Sequence, residues 1–434
     1  MHRVHAGFTM AAEVHNGESG QLRDKLKKLS VKEMSSSPFA KSETTLFVSG
    51  VILPTEYYYR ETLPETLVFA TTYYGPLENH LHDMISSCKE ELCDIFQHCH
   101  GFPNSKVVSD DNLAYYLQTN SHISAFSSRY NCITKQEVEC EKKLRNEIET
   151  YIDRAQDLNA LDQRTALQIK TLIQRHITTR RDDYEWSMKA ANKTLLEFWL
   201  INKAPITLAI SLLLIIRFLY RHRKYIPLSA SLAVAAVGLL RATVSYITLQ
   251  TYSTATRPDD DDVRRIAATQ LRPVMNEMTA AGPLKKGRLR RWFYATALRV
   301  LSAFACHLIK VPTVSNIRWL VVNKRKRLLF MPNYANSTDF YVREFLNGST
   351  PKGVNFMFTN AQNFPDAKQL YQGGISKDPE GYMNAVHTGQ HVTDLWYAHE
   401  PHLTSDVINK NRKIRNGLFR DMNEEQAKEW LKLL

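Results

Sequence analysis

Apolar and polar positions divide the chain at two runs that lack a polar face, Ile206–Ile216 and Ile226–Leu240. The first holds only Thr207 and Ser211 as polar residues, the second only Ser229 and Ser231. A helix of a soluble core keeps a polar stripe, so the pattern predicts a pair of membrane helices rather than a buried hairpin. A spanning helix needs about 20 apolar residues. The first run extends over Pro205–Tyr220 only with Arg217 included, the second over Tyr225–Leu249 only with Arg241. Both arginines lie near an end, where a long stem carries the charge back to the headgroups. Phe198, Trp199, Tyr220, Tyr225 and Tyr246 border the runs in the manner of an interfacial belt. Pro205 and Pro227 stand where proline suits a first helical turn. The turn Arg221-His222-Arg223-Lys224 argues for a cytoplasmic face, but Lys189, Lys193, Lys203, Arg257, Arg264 and Arg265 flank the pair as well. Two full spans place both polar regions opposite the turn; two helices lying in one leaflet leave everything on one side.

The polar regions carry shorter periods. Before the pair, strands are expected at Thr44–Ile52, Glu65–Tyr74 and Ile123–Ser128, with helices at Leu77–His98 and from Asp110 to about Leu117. Thr134 followed by Glu137 reads as a capping box opening a long charged helix, and another helix covers about Asp162–His176. After the pair, Ile317–Val322 and Arg327–Met331 flank the turn Asn323–Lys326 as a hairpin. A helix at Ser337–Leu346, strands at Gly353–Thr359 and Val392–Ala398, and a helix at Asp378–His387 follow. Thr404 and Asn423 then open two terminal helices. This order predicts an α+β fold of two ferredoxin-like sandwich modules, able to pair as a dimeric α/β barrel, separated by a two-helix membrane hairpin. The expected divisions are a disordered segment 1–42, an N-terminal module 43–193, the apolar pair 194–250, basic amphipathic linker helices 251–312 and a C-terminal module 313–434.

Charge alters this picture at one place. The formal net charge is +12, and between Met278 and Thr338 there is no Asp or Glu but twelve Lys and Arg. Leu289, Phe293, Ala297, Val300, Phe304 and Leu308 recur there at helical spacing, with Arg288, Arg291 and Arg299 opposite. A basic amphipathic helix beside a membrane anchor is expected to lie on anionic lipid. The residues expected at that surface are Lys285, Lys286, Arg288, Arg290, Arg291, Trp292 and Phe293. No nucleic-acid module accompanies the patch, so membrane lipids rather than nucleic acid are the expected partner. Six dispersed cysteines and no cleavable signal fit free thiols facing the cytosol.

Candidate chemistry is sparse. Cys88, Cys93, His98, Cys99 and His100 crowd one helix end, but their irregular gaps lack a matching second cluster, so no metal site is expected. His387, His391, His399 and His402 include a candidate axial haem ligand without an attachment motif. Arg129, beside Tyr130, Asn131 and Cys132, suits an anionic headgroup or a stabilised loop. Gly373-Gly374 lacks the spacing of a phosphate loop and reads as a turn, and Asp259–Asp262 reads as a helix start rather than a calcium loop.

The stretches Phe126-Ser127-Ser128-Arg129-Tyr130-Asn131-Cys132-Ile133, Tyr371-Gln372-Gly373-Gly374 and Leu395-Trp396-Tyr397, with the run Ile408–Leu418, resemble an uncharacterised family of membrane-anchored, mainly bacterial proteins. Its members carry a polar module on each side of an apolar hairpin. The resemblance spans residues from about 44 to 434 and implies that architecture, without a catalytic signature. Three functions are expected to compete. The first is an accessory or binding protein at a lipid surface. The second is an enzyme or haem-binding oxidoreductase-like protein acting on an apolar or lipid-derived substrate in a barrel cavity. The third is a scaffold for a membrane-bound redox partner.

Overall fold

The computed structural model describes the chain apart from residues 1, 31–32, 105–106, 223–225, 249–254, 256–257, 260, 262–263, 265–273, 309–312, 347–349 and 371. The fold is α+β. The first half runs β1 (His5–Glu13), α1 (Ser19–Leu29), β2 (Thr45–Leu53), β3 (Thr66–Tyr74), α2 (Leu77–Phe96), α3 (Asp110–Thr119) and β4 (Ala125–Ser128). Two helices, α4 (Lys135–Asp157) and α5 (Ala166–Thr179), lead to the apolar pair α6 (Leu195–Arg221) and α7 (Ile226–Thr248). The second half runs β5 (Met275–Glu277), β6 (Thr279–Pro283), α8 (Arg288–Leu308), β7 (Val314–Val322), β8 (Arg327–Ala335), α9 (Thr338–Glu344), α10 (Thr350–Phe358) and α11 (Pro379–Thr388). It ends with β9 (Gln390–His391), β10 (Leu395–Ala398), α12 (Ser405–Leu418) and α13 (Glu424–Leu431).

The two sheets share strands between halves. One has the order β1-β3-β2-β10, the other β9-β6-β8-β7-β4, with β5 beside β8. Thus β10, from the second half, pairs antiparallel with β2 of the first, and β4, from the first, pairs antiparallel with β7 of the second. Each of these last strands is split. Gln390–His391 pairs with β6 of its own half before Leu395–Ala398 crosses to β2. Residues 120–122 pair with β1 of their own half, through His122 N to Thr9 O (2.8 Å) and Ala11 N to Asn120 O (3.0 Å), before Ala125–Ser128 crosses to β7. At the crossing between β9 and β10, Asp394 is buried and held by Arg23 at 2.8 Å.

Strand alternation then sorts the side chains into layers. Leu67, Phe69 and Tyr73 of β3 face α1, α2 and α3, and Ile317 and Trp319 of β7 face the helices of the second half. The opposite parity forms a core between the sheets: Val51, Leu53, Val68 and Ala70 meet Ala281, Leu320, Val322, Leu329 and Met331. Strands covered on both faces read as continuous apolar runs, and every residue of β2 and β8 is buried. Gly7 on β1 sits where a Cβ would come within 2.5 Å of the Phe126 ring, so this close approach requires glycine. A helical layer, α4 and α5 from the first half with α12 and α13 from the second, packs around Leu144, Ile148, Ile173, Ile177, Ile414, Leu418 and Trp430.

Several expectations are corrected. Residues 1–42 are not a disordered segment: they hold β1 and α1, with Phe8, Met10, Leu22 and Leu26 in the core. The segment 251–312 is not a linker, because it supplies β5, β6 and α8 to the second half. Gly353–Thr359 is not a strand but falls in and just beyond α10, since Val354, Met357 and Phe358 bury one helical face. Val392–Ala398 is broken at 392–394, where the chain changes sheets. Pro205 does not start α6. The box of Thr194 and Glu197 caps it earlier and leaves Pro205 inside a helix of 27 residues.

A buried polar chain joins the halves inside the sheet–sheet core. Arg318 of β7 is fully enclosed and reaches across to the first half. It donates to Phe8 O at 2.9 Å, to Thr9 Oγ1 and Thr71 O at 3.1 Å, and to Thr72 Oγ1 at 2.6 Å. Thr72 in turn donates to Asn316 Oδ1 at 3.2 Å. Asn333 donates to the same oxygen at 3.2 Å and accepts from Trp396 Nε1 at 2.9 Å. Burial lowers the Arg318 pKa to about 10, which leaves it charged at neutral pH. Replacing Arg318 with Leu removes the donor and strands three or four buried acceptors. At about 1–3 kcal/mol for each such loss, R318L is expected to lower unfolding stability by about 3 kcal/mol or more, measured by denaturant titration of the full chain. A variant as stable as the parent would show that the clamp is energetically idle.

Candidate functional site

The basic stretch between Met278 and Thr338 is only partly a surface feature. Lys285 is buried and paired with Asp366, Lys326 pairs with Glu61, and Arg327 is buried against Glu56 at 2.9 Å. Each acid comes from outside the stretch, so these three cations find in three dimensions the counter-charges that the sequence around them lacks. Burial lowers the pKa of Lys285, opposed by its bond to Asp366. Arg290 is buried as well, and Arg291 is half-buried over the Tyr58 ring at 5.9 Å. The cations that remain exposed on or near α8 are Lys286, Arg288, Arg299, Lys324 and Arg325.

Helix α8 forms where the periodicity places it. Its packed face is Tyr294, Ala295 and Leu298, laid on β4 and β7. Leu289, Trp292 and Val300 are 45%, 58% and 58% exposed, and Phe293 is half-buried. Of the seven residues expected at a lipid surface, Lys286, Arg288 and Trp292 are thus outward, whereas Lys285 and Arg290 are taken up by the fold. α8 also touches α6.

Beside α8 runs a groove of about 330 Å³. Ile123, Ala295, Leu298 and Val321 give it an apolar floor, and Arg299, Lys324 and Arg325 supply its charge. His122 lines it too, and also borders a wider, more polar cleft of about 590 Å³ that holds Glu13, Glu61, His100 and Lys326. Burial lowers the His122 pKa against a hydrogen bond with the Val321 backbone. The two cations come from the β7–β8 turn, where Asn323, Lys324 and Arg325 have φ of 49°, 53° and 64°. Left-handed backbone is tolerated by Asn but costs about 1–2 kcal/mol for an ordinary side chain. Both ends of the turn are fixed to the first half. Asn323 Nδ2 donates to Thr66 Oγ1 at 2.9 Å, and Lys326 pairs with Glu61. Arg299, Lys324 and Arg325 were visible in the sequence only as members of the basic stretch. His122 carried no signal, because its place depends on the split of the strand that contains it.

The other candidates do not converge. His387 lies near Asp339 at 3.3 Å, His399 near Glu139 at 3.4 Å, His391 is in β9, and His402 is exposed. Among the described residues no group of three His, Cys, Asp or Glu is placed to hold a metal ion. The Cys88 thiol donates to Pro38 O at 3.2 Å inside the core, His98 bonds Glu18 at 2.8 Å, and the His100 ring stands 4.1 Å from that of His15. Arg129 pairs with Asp406 at 3.0 Å, and Asn131 Oδ1 accepts from His5 N and Cys132 N, each at 2.8 Å. Gly373 and Gly374 form a turn with φ of 79° and 53°, held by Asn355. Arg223, Lys224, Asp260, Asp262 and Tyr371 lie outside the described residues.

The root of α6 carries a network of six charges. Arg3 binds Glu197 at 2.9 Å and Glu137 at 2.8 Å. Arg412 and Arg415 of α12 bind Glu141 at 2.6 and 3.1 Å and also reach Glu137. The bond to Glu197 raises the Arg3 pKa further above its usual value. The chain terminus, α4, α12 and the first turn of α6 are thereby tied together.

No protein-family model matches the chain, and neither a curated protein nor a solved structure matches it.

Four imidazoles are held neutral by burial. His80, between Thr44 and Thr71 hydroxyls at 2.9 and 2.8 Å, is held at about 3, and His5, His391 and His399 at about 4, against 6.5 ordinarily. The unfolded chain takes up protons below pH 6.5 that the folded chain refuses. The stability contributed by these neutral rings is complete above pH 6.5 and declines as pH falls toward 4. The thermal midpoint of the full chain is expected to drop across that window, and less steeply in H399Q. A midpoint that is flat from pH 7 to 4 contradicts the assignment.

Proposed function

We propose that this chain is a membrane-anchored accessory or binding protein that works at a lipid surface, with its polar halves on the cytosolic side. The observation that carries the reading is the uncovered apolar surface of α6 and α7. Both helices are long and apolar enough to cross a membrane, and their most apolar windows are 0% buried against the protein. At 1.5 Å per residue, 27 and 23 residues extend about 40 and 35 Å, against a hydrocarbon core of about 30 Å. Exposed apolar surface on this scale in water is unfavourable by roughly 25 cal/mol for each Å². The charge network around Arg3 and Glu197 supports an anchor that is held rigidly to the body rather than tethered to it. Cys88, Cys93, Cys99, Cys132 and Cys140 are free thiols, in keeping with a reducing compartment.

The split strands favour a ring. In this reading the two half-sheets form the single-chain counterpart of a dimeric α/β barrel built from ferredoxin-like halves, as the resemblance to the uncharacterised family implies. The side chains that face one another between the sheets occupy that interior, so the reading assigns ligand contact to the outer surface rather than to a central cavity. The full chain is expected to stay with membranes through alkaline carbonate extraction. A version in which residues 195–248 are replaced by a short polar linker is expected in the supernatant. Release of the full chain by carbonate would overturn the anchoring.

A further inference from the structure

The geometry points to the groove between α8 and the β7–β8 turn as a binding site for one anionic amphiphile, a lipid with a phosphate or carboxylate headgroup. The inference deepens the lipid-surface reading and rests on it. Its first support is the mismatch of charge. Lys285, Lys326 and Arg327 of the same basic stretch each have an acid. Arg299, Lys324 and Arg325 have no ion-pair partner among the described residues, and the groove they line contains no acid. Three unmatched cations at one rim attract an anion, and arginine and lysine are the side chains that hold phosphate and carboxylate.

The second support is the floor. Ile123 is 60% exposed, and with Leu298, Val321 and Ala295 it supplies apolar lining to the same groove as the cations. A free inorganic anion has no use for such a lining; an acyl chain does. The volume of about 330 Å³ falls in the range of about 300–1,000 Å³ usual for small-molecule sites.

The third support is the turn itself. Three successive residues at positive φ, two of them with long side chains, persist only because the surroundings impose them. Here Thr66 and Glu61 hold the flanks, and Leu284 N donates to Lys326 O at 2.7 Å. Two of the strained residues, Lys324 and Arg325, supply two of the groove's three cations. Helix α8, which forms one wall of the groove, also contacts α6.

Native mass spectrometry of the full chain in a neutral maltoside detergent, with dioleoyl phosphatidic acid and dioleoyl phosphatidylcholine added in equal amounts, tests the assignment. One phosphatidic acid is expected to be retained in preference to phosphatidylcholine. The triple variant R299A/K324A/R325A is expected to reduce that preference at least about tenfold. I123D, which leaves the cations in place but sets an acid in the floor, is expected to do the same. K143A/K413A, which removes one exposed cation each from α4 and α12, outside the groove, is expected to keep it. Inorganic phosphate at the same concentration is expected not to displace the lipid. Equal retention of both lipids, an undiminished preference in the triple variant, equal loss in K143A/K413A, or displacement by phosphate alone would each overturn the site. A chain that resists carbonate yet shows no headgroup preference loses the groove and keeps the anchor. A chain released by carbonate loses the anchor whatever it binds in detergent.

Discussion

Each half of this protein closes the other's sheet. The edge of β2 is covered only by β10, and the edge of β7 only by β4, so neither half has a complete sheet of its own. An exposed edge strand with unpaired backbone groups is a liability that folds cover or charge. Here it is covered by exchange. Everything else between the halves follows from that constraint. The apolar faces of both sheets are brought together and must fill the space between them. Arg318 enters that space and finds acceptors on strands of the opposite half. A buried guanidinium is costly unless hydrogen bonds surround it, and Phe8, Thr9, Thr71 and Thr72 supply the acceptors. Because these bonds are directional where apolar contacts are not, they fix one register of the two sheets.

The attachment of the apolar pair obeys the same economy. The first turn of α6 is capped by its own Thr194 and Glu197, and the same carboxylate receives Arg3 from the beginning of the chain. Glu137 likewise caps α4 while binding Arg3 and Arg412. Carboxylates at helix starts already sit favourably on the dipole. Using them again as ion-pair partners joins three helices and a terminus at one point. The start of the apolar pair is therefore tied to α4 and α12, and through α12 to α13.

Much of this was legible in the sequence, and the failures have physical causes. The hairpin around Asn323, the capping box at Thr134, the helix start at Asn423 and the two apolar helices follow from local rules of period and capping, and they form as expected. β1 was hidden because small residues, Ala6, Gly7, Ala11 and Ala12, dilute its apolar signal, and Gly7 lies where the Phe126 ring approaches. α10 was read as a strand because Val354, Phe356 and Phe358 alternate, while Val354, Met357 and Phe358 satisfy the helical period equally well. The basic stretch looked like a surface because its counter-charges, Glu56, Glu61 and Asp366, are distant in sequence. The groove could not be read, since its residues come from three separate segments and two of its cations, Lys324 and Arg325, depend on a backbone conformation that their own types disfavour.

The exchange of last strands also sets an order of assembly. β2 is made before the apolar pair and β10 after it, so one edge of β2 stays uncovered while α6 and α7 are being synthesised. The first sheet to begin is thus completed only after the second half has been made. A chain cut between α7 and β10 would leave that edge open, with its backbone groups unpaired.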